Sequence, residues 1–493
     1  MNTLLFSRRW LADYCRRPLN VVLLVAVPVI FVTLSAGSLA EFADLLGGTT
    51  DLGVVEAATA GWAASVLAGV AGFFHVAGTR DADRRLAGAG GGAVQVVASR
   101  MGSTLTLALL ASAGALAALR VRTDVADAPR VIGATVVFAV IYAGFGVVVA
   151  AFVRSEMNGS LIIVFTWIFD VFFGPAMGGT ATAIRFFPLH FPTLVVTDVA
   201  SGHSGPLGDL GLAVAWAAVS VAAAVVALGV TTGVRRSAAK GSPAQLRWLA
   251  GLRSASQQLR RMPVMWILII GLPVAFISTS IAITPDDPIP VELAEGGVRS
   301  LQILSMIDVH GAIMVPITVA FLGSLAGLFV ILDSAEADRR LSLTDYRPAD
   351  ILTFRMVVIA AAATVATLVS IAVTAVSFSP ENWSLFIAAN LMVALTYATI
   401  GVMVGPILGR LGGLYVLLVL PFIDIGLAQN PMFDAAPPSW ARLLPGHGSV
   451  RVMTDAAFTA GFDETGAALA AVAWLFALGV AAAVAFRRVT SPT

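Results

Sequence analysis

The sequence is short of lysine, cysteine and histidine, and each shortage excludes a chemistry. Of its 30 basic residues only Lys240 is a lysine, and it has one cysteine, Cys15, and five histidines. A lone cysteine excludes an internal disulfide and any cysteine-built metal or cluster site, and five scattered histidines argue against a metal centre. Lys240 stands between Ala239 and Gly241. A phosphate-binding P-loop needs a glycine-rich turn and then Lys followed by Ser or Thr, because the ammonium must reach the β- and γ-phosphates. The chain therefore has no Walker A site, and if the protein runs on ATP, the ATPase is another polypeptide. Charge is scarce as well: 12% of residues are charged against about 25% in soluble domains, and 58% are hydrophobic against roughly 45–50%. This excludes an ordinary soluble enzyme. The net charge of +1 leaves no global field directed at nucleic acid.

What is present is a succession of apolar runs. Twelve stretches, 18–38, 57–77, 101–119, 131–153, 159–177, 209–233, 264–283, 311–332, 356–377, 385–406, 413–428 and 466–486, read as spans, since about 20 apolar residues cross a bilayer as a helix. The expected fold is an all-α polytopic membrane protein with twelve transmembrane helices. Basic residues collect on the cytoplasmic side of such proteins. With both termini cytoplasmic, 23 basic residues fall inside and 7 outside, the main discrepancy being Arg120, Arg122 and Arg130 in one outside loop.

An internal repeat organises these spans. Arg16-Arg17-Pro18 with Pro28 is echoed by Arg260-Arg261-Met262-Pro263 with Pro273. Asp81-Ala82-Asp83-Arg84-Arg85-Leu86 returns as Glu336-Ala337-Asp338-Arg339-Arg340-Leu341, and Arg100-Met101 as Arg355-Met356. Tyr142-Ala143 with Gly146 returns as Tyr397-Ala398 with Gly401, Asp170 as Asp424, and Pro188, His190, Thr197 and Asp198 as Pro445, His447, Thr454 and Asp455. The offsets run from 245 to 257 in unbroken order. The chain thus reads as two homologous six-helix halves, 1–240 and 241–493. The same repeat argues that the basic, apolar start of the chain is a first span and not a cleaved signal peptide, because its counterpart lies in mid-chain.

Phe6, Trp10, Leu11 and Tyr14 recur at helical spacing among arginines, as in a helix lying in the membrane interface, and Leu246, Leu249, Leu252 and Leu259 repeat the pattern in the linker. The charged loop after the second span of each half is either a solvated topogenic loop or a short helix offered to a soluble partner; the repeated acids favour the second, since topology needs only the basic residues. Asp170 and Asp424 are carboxylates inside a span, each a few residues before a helix break at Gly174-Pro175 or Asn430-Pro431. Such acids are costly and face the bundle interior or water. They either satisfy freed backbone groups or a nearby arginine, or line a translocation path. Gly61, Ser65 and Gly69 give the second span a small-residue face suited to close packing.

In order and spacing the chain resembles the membrane subunit of ABC-2-type ABC exporters, in the tandem form similar to tetronasin-type antibiotic exporters. The resemblance rests on the interfacial helix ending in Arg-Arg-Pro, on the charged loop after span two, and on the long segments 187–198 and 444–455 leading into the last span of each half. It implies coupling loops made of Asp81, Asp83, Arg84, Arg85 and Arg100 in the first half. In the second half they are Glu336, Asp338, Arg339, Arg340, Arg347, Pro348 and Arg355, with Leu343 and Ile351-Leu352 completing the pattern. The first half departs from that pattern with Gly88, Gly90, Gly91 and Gly92, which cost entropy to order. The resemblance further implies two copies of a separate ATPase that holds the ATP and magnesium, no cofactor and no catalytic residue on this chain, and no nucleic-acid partner. A hydrophobic drug, antibiotic or lipid would be exported across the plasma (inner) membrane. An ion-coupled secondary transporter with a six-plus-six repeat is the alternative, and a membrane enzyme lacks clustered residues to carry its chemistry.

Overall fold

The computed structural model describes residues 7, 10–12, 14–16, 18–48, 51–86, 93–123, 125, 127–179, 182–197, 206–231, 263–342 and 348–490. The linker leucines 246–259, the glycines 88–92, Leu343, Arg347 and Asp198 lie outside the described residues. The chain divides into two compact units, Met1–Ala239 and Lys240–Thr493.

In the first unit the helices are α1 (Pro18–Leu45), α2 (Leu52–Ala77), a short polar α3 (Arg80–Leu86), α4 (Ala93–Arg122), α5 (Ala128–Phe152), α6 (Glu156–Phe172), α7 (His190–Thr197) and α8 (Pro206–Thr231). Side chains that favour helix starts mark several boundaries. Asp51 accepts the amides of Gly53 and Val54 ahead of α2, and Ser155 accepts that of Asn158 ahead of α6. Buried along almost its whole length, α2 forms the centre of the unit, against α1, α4 and α5.

The second unit runs α9 (Pro263–Ile283), strands β1 (Pro288–Glu295) and β2 (Val298–Ser305), α10 (Met306–Ser342), α11 (Pro348–Thr374), α12 (Trp383–Pro421), a wide helical turn at Phe422–Ala428, α13 (His447–Phe458) and α14 (Thr465–Thr490). The two strands form an antiparallel hairpin turned at Gly296 and Gly297, both with positive φ, which suits glycine. No strand was expected from the sequence. Its buried face, Ile289, Val291 and Leu293, alternates with exposed or half-buried positions, the two-residue period of a half-buried strand. Arg451 of α13 holds the hairpin down: it reaches Glu464 at 2.8 Å and Glu292 at 3.2 Å, and Arg299 of β2 also meets Glu464, at 3.1 Å.

Among the described residues nine helices are long and apolar enough to cross a membrane, so the protein is an all-α polytopic membrane protein with one small hairpin. The differences from twelve are local. The fifth stretch, α6, has only 17 residues, and the apolar part of α9 is short, Ile269–Ile283. The tenth and eleventh stretches run together through α12, joined at Gly409, whose φ of 70° breaks the helix geometry. In the first unit, Arg122 donates to Thr33 O at 2.8 Å and Glu56 at 3.1 Å, and Arg130 pairs with Asp127. Arg122 and Arg130, which strained the charge rule, thus have partners within the protein.

The same close crossing recurs in both units. A Cβ on Gly146 of α5 would stand 2.0 Å from Gly69 O of α2, and a Cβ on Gly401 of α12 would stand 2.0 Å from Ser324 O of α10. Backbones meet directly there because small residues let them. Gly146→Ala and Gly401→Ala are expected to lower stability by at least about 1–3 kcal/mol, measured as thermal unfolding in detergent. Gly211→Ala, at a position with open space around it, leaves the midpoint unchanged or raises it.

Candidate functional site

Two arrangements recur in both units. The first lies where the charged segment after α2 or within α10 meets the next helix. In the first unit Arg100 of α4 grips Asp83 of α3 with two hydrogen bonds, Nε to Oδ2 at 2.8 Å and Nη2 to Oδ1 at 2.7 Å. Both side chains are buried. Paired bonds from a planar guanidinium to a carboxylate fix angle as well as distance, so α3 is held at a set angle to α4. Thr79 Oγ1 donates to Asp83, Arg80 donates to Val153 O at the end of α5, and Arg100 stacks on Trp10 with its Cζ 3.8 Å from the ring centroid. Ser7 adds a bond to Ser99 O. The helical stretch around Trp10 is thereby fastened to the base of α4.

The second unit builds the same brace. Arg355 of α11 reaches Asp338 of α10 at 2.8 Å, again with both side chains buried. The charged segment continues α10 without a break, and Arg410 closes on Asp333 at 2.9 Å. The surroundings differ between units. His75 and Ser103 bond to one another at 2.6 Å beside Arg100, whereas the corresponding positions of the second unit are Val330 and Val358. There, Val330 packs on an apolar cluster of Ile331, Ile351 and Phe486.

The residues predicted for the coupling loops therefore separate into two groups. Asp83, Arg100, Asp338 and Arg355 face inward and bind each other. Asp81, Arg85 and Glu336 are exposed. Arg84 lies on α3, Arg339 and Arg340 lie in the last turns of α10, and Pro348 opens α11.

The second arrangement surrounds the intramembrane acids. Tyr142 of α5 donates to Asp170 Oδ2, and the Leu189 amide donates to Oδ1 at 3.4 Å. In the second unit Tyr397 of α12 donates to Asp424 Oδ2 at 2.5 Å, and the Gly446 amide donates to the same oxygen at 2.8 Å. Both acids are buried. Each joins three elements: the helix bearing the tyrosine, the end of its own helix, and the first residue after the proline of the following segment. That segment folds into α7 or α13, which are buried over most of their length. Each acid thus accepts a tyrosine hydroxyl and a backbone amide of the segment that follows it.

Sequence reasoning missed the cluster of Arg451, Glu464, Glu292 and Arg299, because its members lie up to 172 residues apart and share no motif. His447 Nδ1 meets Gln429 Oε1 at 2.9 Å. Its pKa is held down at about 4, from 6.5, by burial first and then by the nearby Arg451 and Arg442. Among the described residues no cluster of three or more His, Cys, Asp or Glu could hold a metal ion. Neither a known protein family nor a curated protein matches the chain.

Two tests follow from this geometry. Arg100→Ala would leave Asp83 buried and unpaired, at a cost of about 3–5 kcal/mol, while Arg85→Ala on the exposed face stays within about 0.5 kcal/mol; thermal unfolding in detergent measures both. For His447, the unfolded chain takes up a proton near 6.5 and the folded one only near 4. Its contribution to stability is present above that window and lost as pH falls through it. The thermal midpoint is expected to drop between about pH 6.5 and 4, and to drop less in His447→Gln.

Proposed function

We propose that this chain is the membrane-spanning permease of an ATP-driven ABC exporter, with twelve spans in two homologous halves and both termini in the cytoplasm of a cell bounded by its plasma membrane. The observation that carries the reading is the repeated brace: Asp83–Arg100 and Asp338–Arg355, each buried, each stiffening a short charged helical segment on which Asp81 and Arg85, or Glu336, are exposed. A permease without its own ATPase site needs such a part. Force from a separate soluble motor must enter through a rigid surface element that does not yield before the membrane helices move, and a buried two-point ion pair supplies that rigidity.

Two copies of the ATPase, one beneath each unit, would hold the ATP and magnesium. The exposed Asp81, Arg85 and Glu336, with Arg84, Arg339, Arg340 and Arg347, would form the contact, and the buried pairs would carry the load into α4 and α11. The permease itself performs no covalent step. It must bind substrate differently in its two arrangements, since only differential binding lets ATP-driven motion move a ligand. The apolar interior suits a hydrophobic small molecule such as a drug, antibiotic or lipid, and efflux of such a compound is the activity we assign.

One observation favours a second reading. Buried acids within spans are the usual seats of ion coupling, and Asp170 and Asp424 would serve in that way in a secondary transporter.

Gentle affinity purification from native membranes separates the two. A Walker-A ATPase is expected at about two copies per chain, lost when Arg339 and Arg340 are replaced by Ala together with Arg84 and Arg85. A folded preparation that carries no ATPase would overturn the exporter in favour of the ion-coupled transporter.

A further inference from the structure

The two intramembrane acids occupy corresponding places, yet their oxygens are used differently. Asp170 spreads its bonds, one oxygen accepting Tyr142 and the other the Leu189 amide. Asp424 concentrates them: Oδ2 accepts both Tyr397 at 2.5 Å and the Gly446 amide at 2.8 Å, while the buried Oδ1 makes no such close bond and the carboxyl's other polar neighbour is the neutral side chain of Gln429. A carboxylate has acceptor sites on both oxygens, whereas a carboxylic acid has one carbonyl oxygen with two lone pairs and one hydroxyl oxygen. Two close donors on one oxygen and no such bond on the other is the pattern of the acid.

The surroundings supply no cation that would hold the charged form. Among the described residues no basic side chain pairs with Asp424. The titratable and charged groups on the elements packed around it are Tyr397, Arg410 and Tyr415 on α12, Asp308, His310, Asp333, Glu336, Asp338, Arg339 and Arg340 on α10, Arg442 in the segment after Asp424, and His447, Arg451 and Asp455 on α13. Only Tyr397 bonds to it. His310 is engaged with Ser280 and Met432, His447 with Gln429, and Arg451 with Glu464 and Glu292. An ionised carboxylate buried without a cation is costly, and a proton on Oδ1 removes the charge.

Local backbone makes room for this arrangement. Asp424 sits in the wide turn Phe422–Ala428, where the Gln429 amide reaches back five residues to Asp424 O at 2.9 Å. Such turns recur at functional sites. Gly446 approaches so closely that a Cβ on it would lie 2.9 Å from both carboxyl oxygens; its counterpart in the first unit is Leu189.

We propose that Asp424 is a proton-binding site of the second unit, with the proton on Oδ1 and the segment leading into α13 held on Oδ2. The inference adds to the exporter reading a proton whose occupancy depends on whether that segment is seated. While Gly446 and Tyr397 are in place the acid is sealed and keeps its proton. Lifting the segment would admit water, which solvates the carboxylate and lets the proton leave. Asp170, with both oxygens already bonded to donors, has no such oxygen and is the fixed member of the pair.

The test is infrared spectroscopy of the full chain in lipid nanodiscs, with aspartate carbon-13 labelling to identify aspartic carbonyl bands. A protonated-aspartate band is expected at neutral pH, lost in Asp424→Asn and kept in Asp170→Asn. Tyr397→Phe, which keeps the acid but removes one hydrogen bond to its carbonyl, shifts the band in frequency and guards against misfolding of the Asn variant. Absence of the band in the wild type, or a band indifferent to Tyr397→Phe, overturns the proposal. ATPase co-purification is an independent outcome: ATPase without the band removes the proton site alone, and the band without ATPase keeps the site while displacing the exporter reading.

Discussion

The direct backbone contact between α2 and α5, and between α10 and α12, is the constraint on which the rest of each unit depends. At Gly146 and Gly401 the neighbouring carbonyl comes so near that no side chain fits. Tyr142 and Tyr397 stand one turn earlier on the same helices. Their height and direction are therefore set by the crossing, and with them the place where Asp170 and Asp424 must sit to be bonded. The acid in turn fixes the start of the following segment. A rigid crossing of two helices thus sets the position of a loop some 45 residues further along the chain. Lipid offers no hydrophobic drive for helices to associate, so close packing and interhelical hydrogen bonds have to do so, and both occur here within a few residues of each other.

Much of this was legible in the sequence, for identifiable reasons. Spans are legible because bilayer thickness fixes their length. The repeat was legible because charged and punctuating residues, Asp83 and Arg100 or Asp338 and Arg355, stand out against an apolar background. Sequence identified these four residues as important but not which way they face: spacing along a chain does not tell a side chain that reaches a partner protein from one that folds back on its neighbour. The intramembrane acids were visible at once, and the tyrosines appeared as part of the repeat, but the bond between them joins residues 28 apart in one unit and 27 in the other and has no local signature. The hairpin stayed hidden for another reason. Pro288, Pro290, Glu292 and Glu295 are poor strand formers, and what stabilises the strands is burial of one face together with Arg451, more than a hundred residues later.

The two units have kept their framework and changed its fittings. Brace, crossing and acid are in both. His75 and Ser103 line the first brace where valines line the second, the hairpin with its arginine and glutamate cluster belongs to the second unit, and the bonding of the two acids differs. The shared features are those each unit needs to hold its own shape. At Arg100 and Arg355 a planar fork holds a carboxylate at two points in a buried site, which an ammonium cannot.

Every brace described above closes within its own unit. The first unit has its central crossing, its ion pair and its bonded acid complete once residue 231 has been made. Domains built in this way fold in the order of synthesis, so the first half can finish packing in the membrane while the ribosome is still translating the second. The nascent chain then never has to hold all its apolar helices unpaired at once.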